Sequence, residues 1–224
     1  ALSNLDVVFC VDRAGLVGAD GPTHHGAFDL AYLRMIPRMK ILVPSCEAEL
    51  ASALHTALKL GGPVAIRYPR GIGAGYDMPE SAATTPELEL GRAKIVYNFN
   101  NPQVCILAFG PLLHSAIKAA EILKTKGITT RVIDMCWLKP LDINAVKLAL
   151  ASPLLVTLED GSLMAGAGSA VLEEIAKLEV PANVLQLGLP DHFIKHGEQK
   201  ELYEELGLSS LKIAERIEKR LKEN

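Results

Sequence analysis

DRAGLVGADGPTHHGAFDLAYLR, residues 12–34, follows directly on the apolar run VVFCV at residues 7–11. The run is short and rich in β-branched residues, the composition of a buried strand. The loop therefore emerges at a strand end, which is where open parallel sheets bind ligands. Gly15, Gly18 and Gly21 let the backbone turn and approach a ligand closely, and Pro22 stiffens the last bend. Arg13, Asp20, His24 and His25 then project from a constrained segment. A plainer reading has Arg13 and Asp20 pair to close the loop, with His25 at the surface. Four charged or titratable groups in so short a glycine-rich stretch exceed what a turn needs, and the balance favours a ligand site.

Downstream, residues 26–35 carry helical spacing through Phe28, Leu30, Tyr32 and Leu33, and Pro37 stops the pattern. Residues 40–43 read as a strand. Ser45 is placed as the N-cap of a helix over 47–60, with Glu47 and Glu49 favouring its dipole and Gly61-Gly62 ending it. A strand at 64–68 delivers Pro69-Arg70-Gly71. Arg13 and Arg70 thus follow two strands and are expected to converge on one anion. Residues 73–90 hold prolines, small residues and acids without periodicity, and this sets a domain boundary there. Beyond it, strands at 103–109, 129–135, 154–159 and 184–187 alternate with helices at 112–126, 142–151, 168–178, 198–206 and 209–222. Such alternation predicts an α/β protein of two three-layer α/β/α domains, 1–85 and 86–224, with mostly parallel sheets.

Of 224 residues, 49% are hydrophobic and 22% charged, enough for one large core or two small ones. A net charge of −3 provides no general basic field, which argues against a nucleic acid or an anionic membrane as partner. Cys10, Cys46, Cys105 and Cys136 form no CxxC pair, as expected of reduced thiols in a cytosolic compartment. No apolar run has transmembrane length and no signal peptide is visible, so the expected location is cytoplasmic. Residue 1 is not methionine and lies close to the first strand, which predicts a piece or a mature product of something longer.

Joined to Ile36-Pro37, Pro44-Ser45 and RYPRG at 67–71, the loop resembles the pyrimidine-binding domain of the 1-deoxy-D-xylulose-5-phosphate synthases, thiamine-diphosphate enzymes related to transketolase. DMCWLKPLD at 134–142, LEDGSLMAGAGSAVLE at 158–173 and LGLPDHFIKHG at 187–197 resemble the C-terminal domain that transketolase-type enzymes share. The resemblance implies the back part of a pyrimidine-binding domain with its linker over 1–85 and the transketolase-like C-terminal domain over 86–224. It also implies pyruvate and D-glyceraldehyde 3-phosphate as substrates, thiamine diphosphate and Mg2+ as cofactors of the full-length enzyme, a homodimer, and a place in isoprenoid, thiamine and pyridoxal precursor synthesis. Arg13 and Arg70 would hold the substrate phosphate, since a guanidinium fork matches its oxygens. Asp20 and His24 would be catalytic at the aldehyde, His24 donating a proton to the developing alkoxide. His25 stands where the resemblance places glutamine, and its role is left open.

The family's GDG metal motif and its activating glutamate are not found in this sequence, and GADG at Gly18–Gly21 lacks the downstream asparagine. No cofactor-binding or metal-binding residue is assigned, and the chain by itself is expected to be inactive. The rival readings are a transketolase, a 2-oxoacid dehydrogenase beta-subunit half, and a non-catalytic assembly module.

Other candidates have bland explanations. Gly166-Ala167-Gly168-Ser169 opens a helix and offers free N–H groups, but small residues there also permit close packing, which is favoured. Glu159-Asp160 and Asp191-His192 are assigned to loop architecture or an interface. His192 and His196 have i, i+4 spacing, yet Pro190 and Gly197 around them predict a loop rather than a metal-binding helix. His55 and His114 sit among Ala and Leu as ordinary helix residues, and residues 212–222 read as a solvated surface helix.

Overall fold

The computed structural model describes residues 1–223. In chain order these form β1 (Val8–Val11), α1 (Asp29–Arg34), β2 (Lys40–Leu42), α2 (Glu47–Ala57), β3 (Val64–Arg67), β4 (Lys94–Tyr97), β5 (Val104–Ala108), α3 (Leu113–Thr125), β6 (Thr130–Asp134), β7 (Trp137–Lys139), α4 (Ile143–Leu150), β8 (Leu154–Ser162), α5 (Ala167–Leu178), β9 (Val184–Leu189), α6 (Gln199–Glu205) and α7 (Ser210–Lys222). The strands make two mostly parallel sheets, ordered β1-β3-β2-β7 and β4-β6-β5-β8-β9. Only the two edge strands β7 and β4 run antiparallel to their neighbours.

The second sheet shows why its strands are apolar throughout. Val104, Ile106 and Ala108 of β5 face one core with α3 and α7, while Cys105 and Leu107 face another with α4 and α5. Side chains alternate across a strand, so a strand covered on both faces needs an unbroken apolar run. The second of these cores also takes in Leu30 and Leu33 of α1 and Ile41 and Ala65 of the first sheet. Packing is therefore continuous from one sheet to the other. A third core lies on the far face of the first sheet, where Leu42, Val64 and Ile66 meet Ala53 and Ala57 of α2 and the fully buried Trp137 of β7. That indole comes from the second half of the chain, and β7 pairs with β2.

Several elements differ from the sequence expectation. β1 is not a buried strand. It pairs only with β3, and Phe9 is 45% exposed, because among the described residues nothing pairs with its outer edge. The helix expected from residue 26 starts at Asp29, since the N–H and C=O of Gly26 are both taken by the loop and the Ala27 carbonyl accepts from Ser162 N at 2.7 Å. Cys46, not Ser45, is the N-cap of α2. Ser45 instead turns inward to Glu49 and Asp134. β4 was invisible because its side chains are largely exposed and show no alternation.

No helix or strand forms over residues 72–93. The start of this segment is held by Glu47, whose carboxylate accepts from the N–H groups of Ala74, Gly75 and Tyr76 at 2.6–2.9 Å. The Tyr76 ring rests on His114 with centroids 5.6 Å apart.

Candidate active site

Three backbone hydrogen bonds fold the glycine-rich loop back on itself, and a fourth ties it to the residue after β3. Ala14 N donates to Tyr68 O, Gly15 N to Gly26 O, and Gly26 N is shared between Arg13 O and Gly15 O, at 2.8–3.0 Å. Gly26 is required by this closure, because a Cβ there would collide with the Arg13 carbonyl. Arg13 itself has φ +59°. A left-handed conformation costs an L-residue about 1–2 kcal/mol, so the surrounding contacts must hold it. The result is a cleft of about 470 Å³ at the carboxyl end of β1, lined by Arg13, His24, His25 and Gly26 of the loop and by Phe28, Asp29 and Tyr32 of the α1 region.

The candidate residues divide between two clefts. Arg13 lines the first, with Nη1 2.7 Å from Asp12 Oδ2. His24 lines it too, exposed, with Nδ1 2.9 Å from the Thr23 hydroxyl. Asp20 is not in that wall. It pairs with Arg70 at 2.5 Å, and Arg70 lines a second cleft of about 410 Å³ together with Cys46, Glu47, His114, Gln199 and Tyr203. Arg13 and Arg70 thus line separate clefts, each paired with a carboxylate. Although β1 and β3 are neighbours, the chain turns after Arg67 and the Arg70 guanidinium is drawn to Asp20. His25 has a definite place. Its Nδ1 accepts the Val17 N–H at 3.1 Å, so the neutral ring carries its proton on Nε2 and braces the loop from inside.

Beneath the loop lies a charged group that sequence reasoning missed. Arg67 ends the otherwise apolar strand VAIR and is 1% exposed. Its Nε is 3.0 Å from both carboxylate oxygens of Asp29, its Nη1 pairs with Asp160, and its Nη2 donates to Gly26 O at 2.7 Å. Desolvation is the largest single influence on this guanidinium and opposes its charge, but the two carboxylates together outweigh it and tighten its hold on the proton. Burial pushes the Asp29 carboxyl above its ordinary range in spite of Arg67. The one available signal was an arginine closing an apolar strand.

Asp160 belongs to β8 of the second sheet, and Gly15 packs directly over it. Its neighbour Glu159 turns the other way and caps α5, accepting from Ala167 N and Gly168 N at 2.8 and 2.7 Å. The Gly166–Gly168 helix start thus already holds an anion, one supplied by the chain itself. Close packing applies there as well, since a Cβ on Gly168 would strike Gln186 and Thr157. Burial raises the Glu159 carboxyl to about 7, although the two amides favour its charged form.

The segment after β9 supports the loop from outside. Gly197 N lies 3.4 Å from Gly18 O, and the Gln199 side chain donates to Leu16 O at 2.5 Å. His192 and His196 fall in this irregular stretch, both exposed, so their spacing places them on no common helical face. Among the described residues no group of three or more His, Cys, Asp or Glu side chains is placed to hold a metal ion. Nor is any helix long and apolar enough to cross a membrane.

Two interlocked, mostly parallel sheets, with a glycine-rich loop over a buried arginine at a strand's carboxyl end, define an α/β protein whose candidate cleft opens beside one sheet above an ion-pair network that joins both. Comparison with known families narrows this class. Residues 1–74 match the transketolase pyrimidine-binding domain and residues 91–213 the transketolase C-terminal domain, and the chain belongs to the transketolase family. It is 45% identical over 219 residues to the 1-deoxy-D-xylulose-5-phosphate synthase of Chlorobium luteolum, covering 97% of this chain and 34% of that protein. With the synthase of Hahella chejuensis it shares 48% over 223 residues, 99% of this chain and 33% of the other. The chain thus spans about a third of the length of the curated relatives it matches. Among solved structures, a split-gene transketolase described as an inactive beta4 tetramer superposes with a TM-score of 0.82 at 30% identity, over 99% of this chain and 68% of that one. The transketolase of Campylobacter jejuni shares the fold, with a TM-score of 0.71 at 20% identity over 94% of this chain and 31% of the other.

Proposed function

We propose that this chain provides the acceptor side of a 1-deoxy-D-xylulose-5-phosphate synthase, which joins pyruvate to D-glyceraldehyde 3-phosphate with loss of carbon dioxide. The observation that carries the reading is the first cleft, which an arginine and an imidazole of one closed loop both line. Arg13 binds a phosphate oxygen through its fork. His24 gives a proton to the acceptor's carbonyl oxygen as that oxygen gains charge, a role expected to contribute about 10²–10⁴-fold. Arg70 and Asp20 form an exposed pair, and such pairs contribute only about 0–1 kcal/mol, so an incoming phosphate can take Arg70 from Asp20 and leave that carboxylate for the acceptor's hydroxyl.

Thiamine diphosphate, with Mg2+, supplies the carbanion chemistry that pyruvate decarboxylation needs. Among the described residues no group of three or more His, Cys, Asp or Glu side chains is placed to hold the metal, and no step on this chain is routed through the cofactor. The matches to residues 1–74 and 91–213 support a division into two units within residues 73–90. A homodimer in the cytoplasm completes the reading. The likeness to a split-gene transketolase described as an inactive beta4 tetramer supports the reading that the chain is inactive by itself. Product formation from the two substrates, measured with the protein as its cell makes it, tests the proposal. His24→Ala should lower turnover at least a hundredfold, and turnover within twofold of the parent would remove His24 from the chemistry.

A further inference from the structure

We infer that Asp160, a residue of the second sheet, is a positioning residue for the cleft: it clamps Arg67, and Arg67 in turn sets the backbone of the loop through the Gly26 carbonyl. The inference rests on the functional reading above only for its kinetic test. Gly26 is the hub of the loop. Its carbonyl accepts from Arg67 Nη2 and from Gly15 N, and its N–H is shared by the carbonyls of Arg13 and Gly15. A displacement of Gly26 therefore moves Arg13, held in a left-handed conformation, and His24 two residues earlier.

Arg67 alone could not hold that hub, since a guanidinium is free to rotate unless its other donors are fixed. Asp29 fixes Nε by both oxygens, and Asp160 fixes Nη1 by its carboxylate while its backbone carbonyl lies 3.4 Å from Nη2. Planar five-donor geometry is what a lysine cannot reproduce. Asp160 is 1% exposed and touches the loop a second time, beneath Gly15, where a Cβ would overlap its carboxylate. The second sheet thus contributes no group to the cleft wall and yet determines where the wall stands.

Arg67→Lys keeps the charge and loses the fork. In the protein as its cell makes it, the variant should remain folded and lose at least tenfold in kcat/KM for the phosphorylated acceptor, with the KM for pyruvate unchanged within twofold. Gly26→Ala, which pushes the Arg13 carbonyl directly and leaves every charge in place, should show the same kinetic split. A merely structural role predicts a lower fraction of active enzyme, seen as reduced kcat with both KM values unchanged, and that result would overturn the inference. A readout without turnover separates it from the functional reading. In [15N]glycine-labelled protein, Arg67→Lys should shift the amide resonances of Gly15 and Gly26 while Gly127, at the far end of α3, stays fixed. Unmoved Gly15 and Gly26 signals refute the positioning role whatever the substrates prove to be. Should Arg67→Lys fail to fold, Asp160→Asn, which keeps an acceptor in the same place, decides by the same signals and the same kinetic split.

Discussion

Arg67 and Arg70 lie three residues apart, and their surroundings have almost nothing in common. Arg67 is 1% exposed between two carboxylates that are themselves buried, whereas the Arg70 side chain is 59% exposed against Asp20. Identical chemistry is a fixed support in the first place and an exchangeable contact in the second. In water-poor surroundings an ion pair cannot be broken without leaving uncompensated charge, while at the rim solvent replaces either partner at little cost. A site that binds and releases a charged ligand needs both kinds, one to hold the loop and one to let go.

The sharpest way to break this comparison is to remove each guanidinium in turn. Arg67→Met leaves Asp29 and Asp160 buried without a cation, and urea denaturation should show a loss of about 3–5 kcal/mol. Arg70→Met should cost less than about 1 kcal/mol. Equal losses would mean that the buried network is no more rigid than the rim.

How far the same contrast extends was only partly legible in the sequence. The alternation of apolar strands and helices marked most of the second sheet, because a strand buried on both faces announces itself by composition. The loop was legible because glycines and titratable residues crowd together there. Arg67 was not, since it sits inside the strand expected over 64–68 with nothing nearby in sequence to pair it, and its partners lie 38 and 93 residues away. Nor could composition tell that β1 would be an open edge, because exposure depends on which elements fail to cover a strand. Nor did the sequence show that Arg70 would pair with Asp20, fifty residues away.

A smaller effect sharpens the contrast at another buried junction between the sheets. The Ser45 hydroxyl lies 3.1 Å from Glu49 Oε2 and 3.0 Å from Asp134 Oδ2, and one hydroxyl proton cannot serve both. A proton on one carboxyl satisfies both contacts. Burial, then the neighbouring Glu49 charge, raise the Asp134 carboxyl, with Lys94 opposing from β4 and the buried Cys136 thiol adding no charge. Burial lifts Glu159 likewise, to about 7. The folded state therefore holds protons that the unfolded chain releases near pH 4, so stability is present below that range and lost as pH rises through about 7. Denaturation should become easier by roughly 2–3 kcal/mol for each such carboxyl between pH 5 and pH 8. Asp134→Asn should flatten this slope. A slope equally steep in the variant would assign the proton elsewhere.

The most direct test of an exchangeable rim over a fixed support is steady-state kinetics of Arg13→Ala and Arg70→Ala with two acceptors, D-glyceraldehyde 3-phosphate and unphosphorylated D-glyceraldehyde. A charge-assisted contact to phosphate contributes about 1.5–3 kcal/mol, so each variant should lose roughly ten- to a hundredfold in kcat/KM with the phosphorylated acceptor. The unphosphorylated acceptor should be barely affected, and the variants should melt as the parent does. Equal losses with both acceptors, accompanied by earlier melting, would show that these arginines brace loops and would contradict the account.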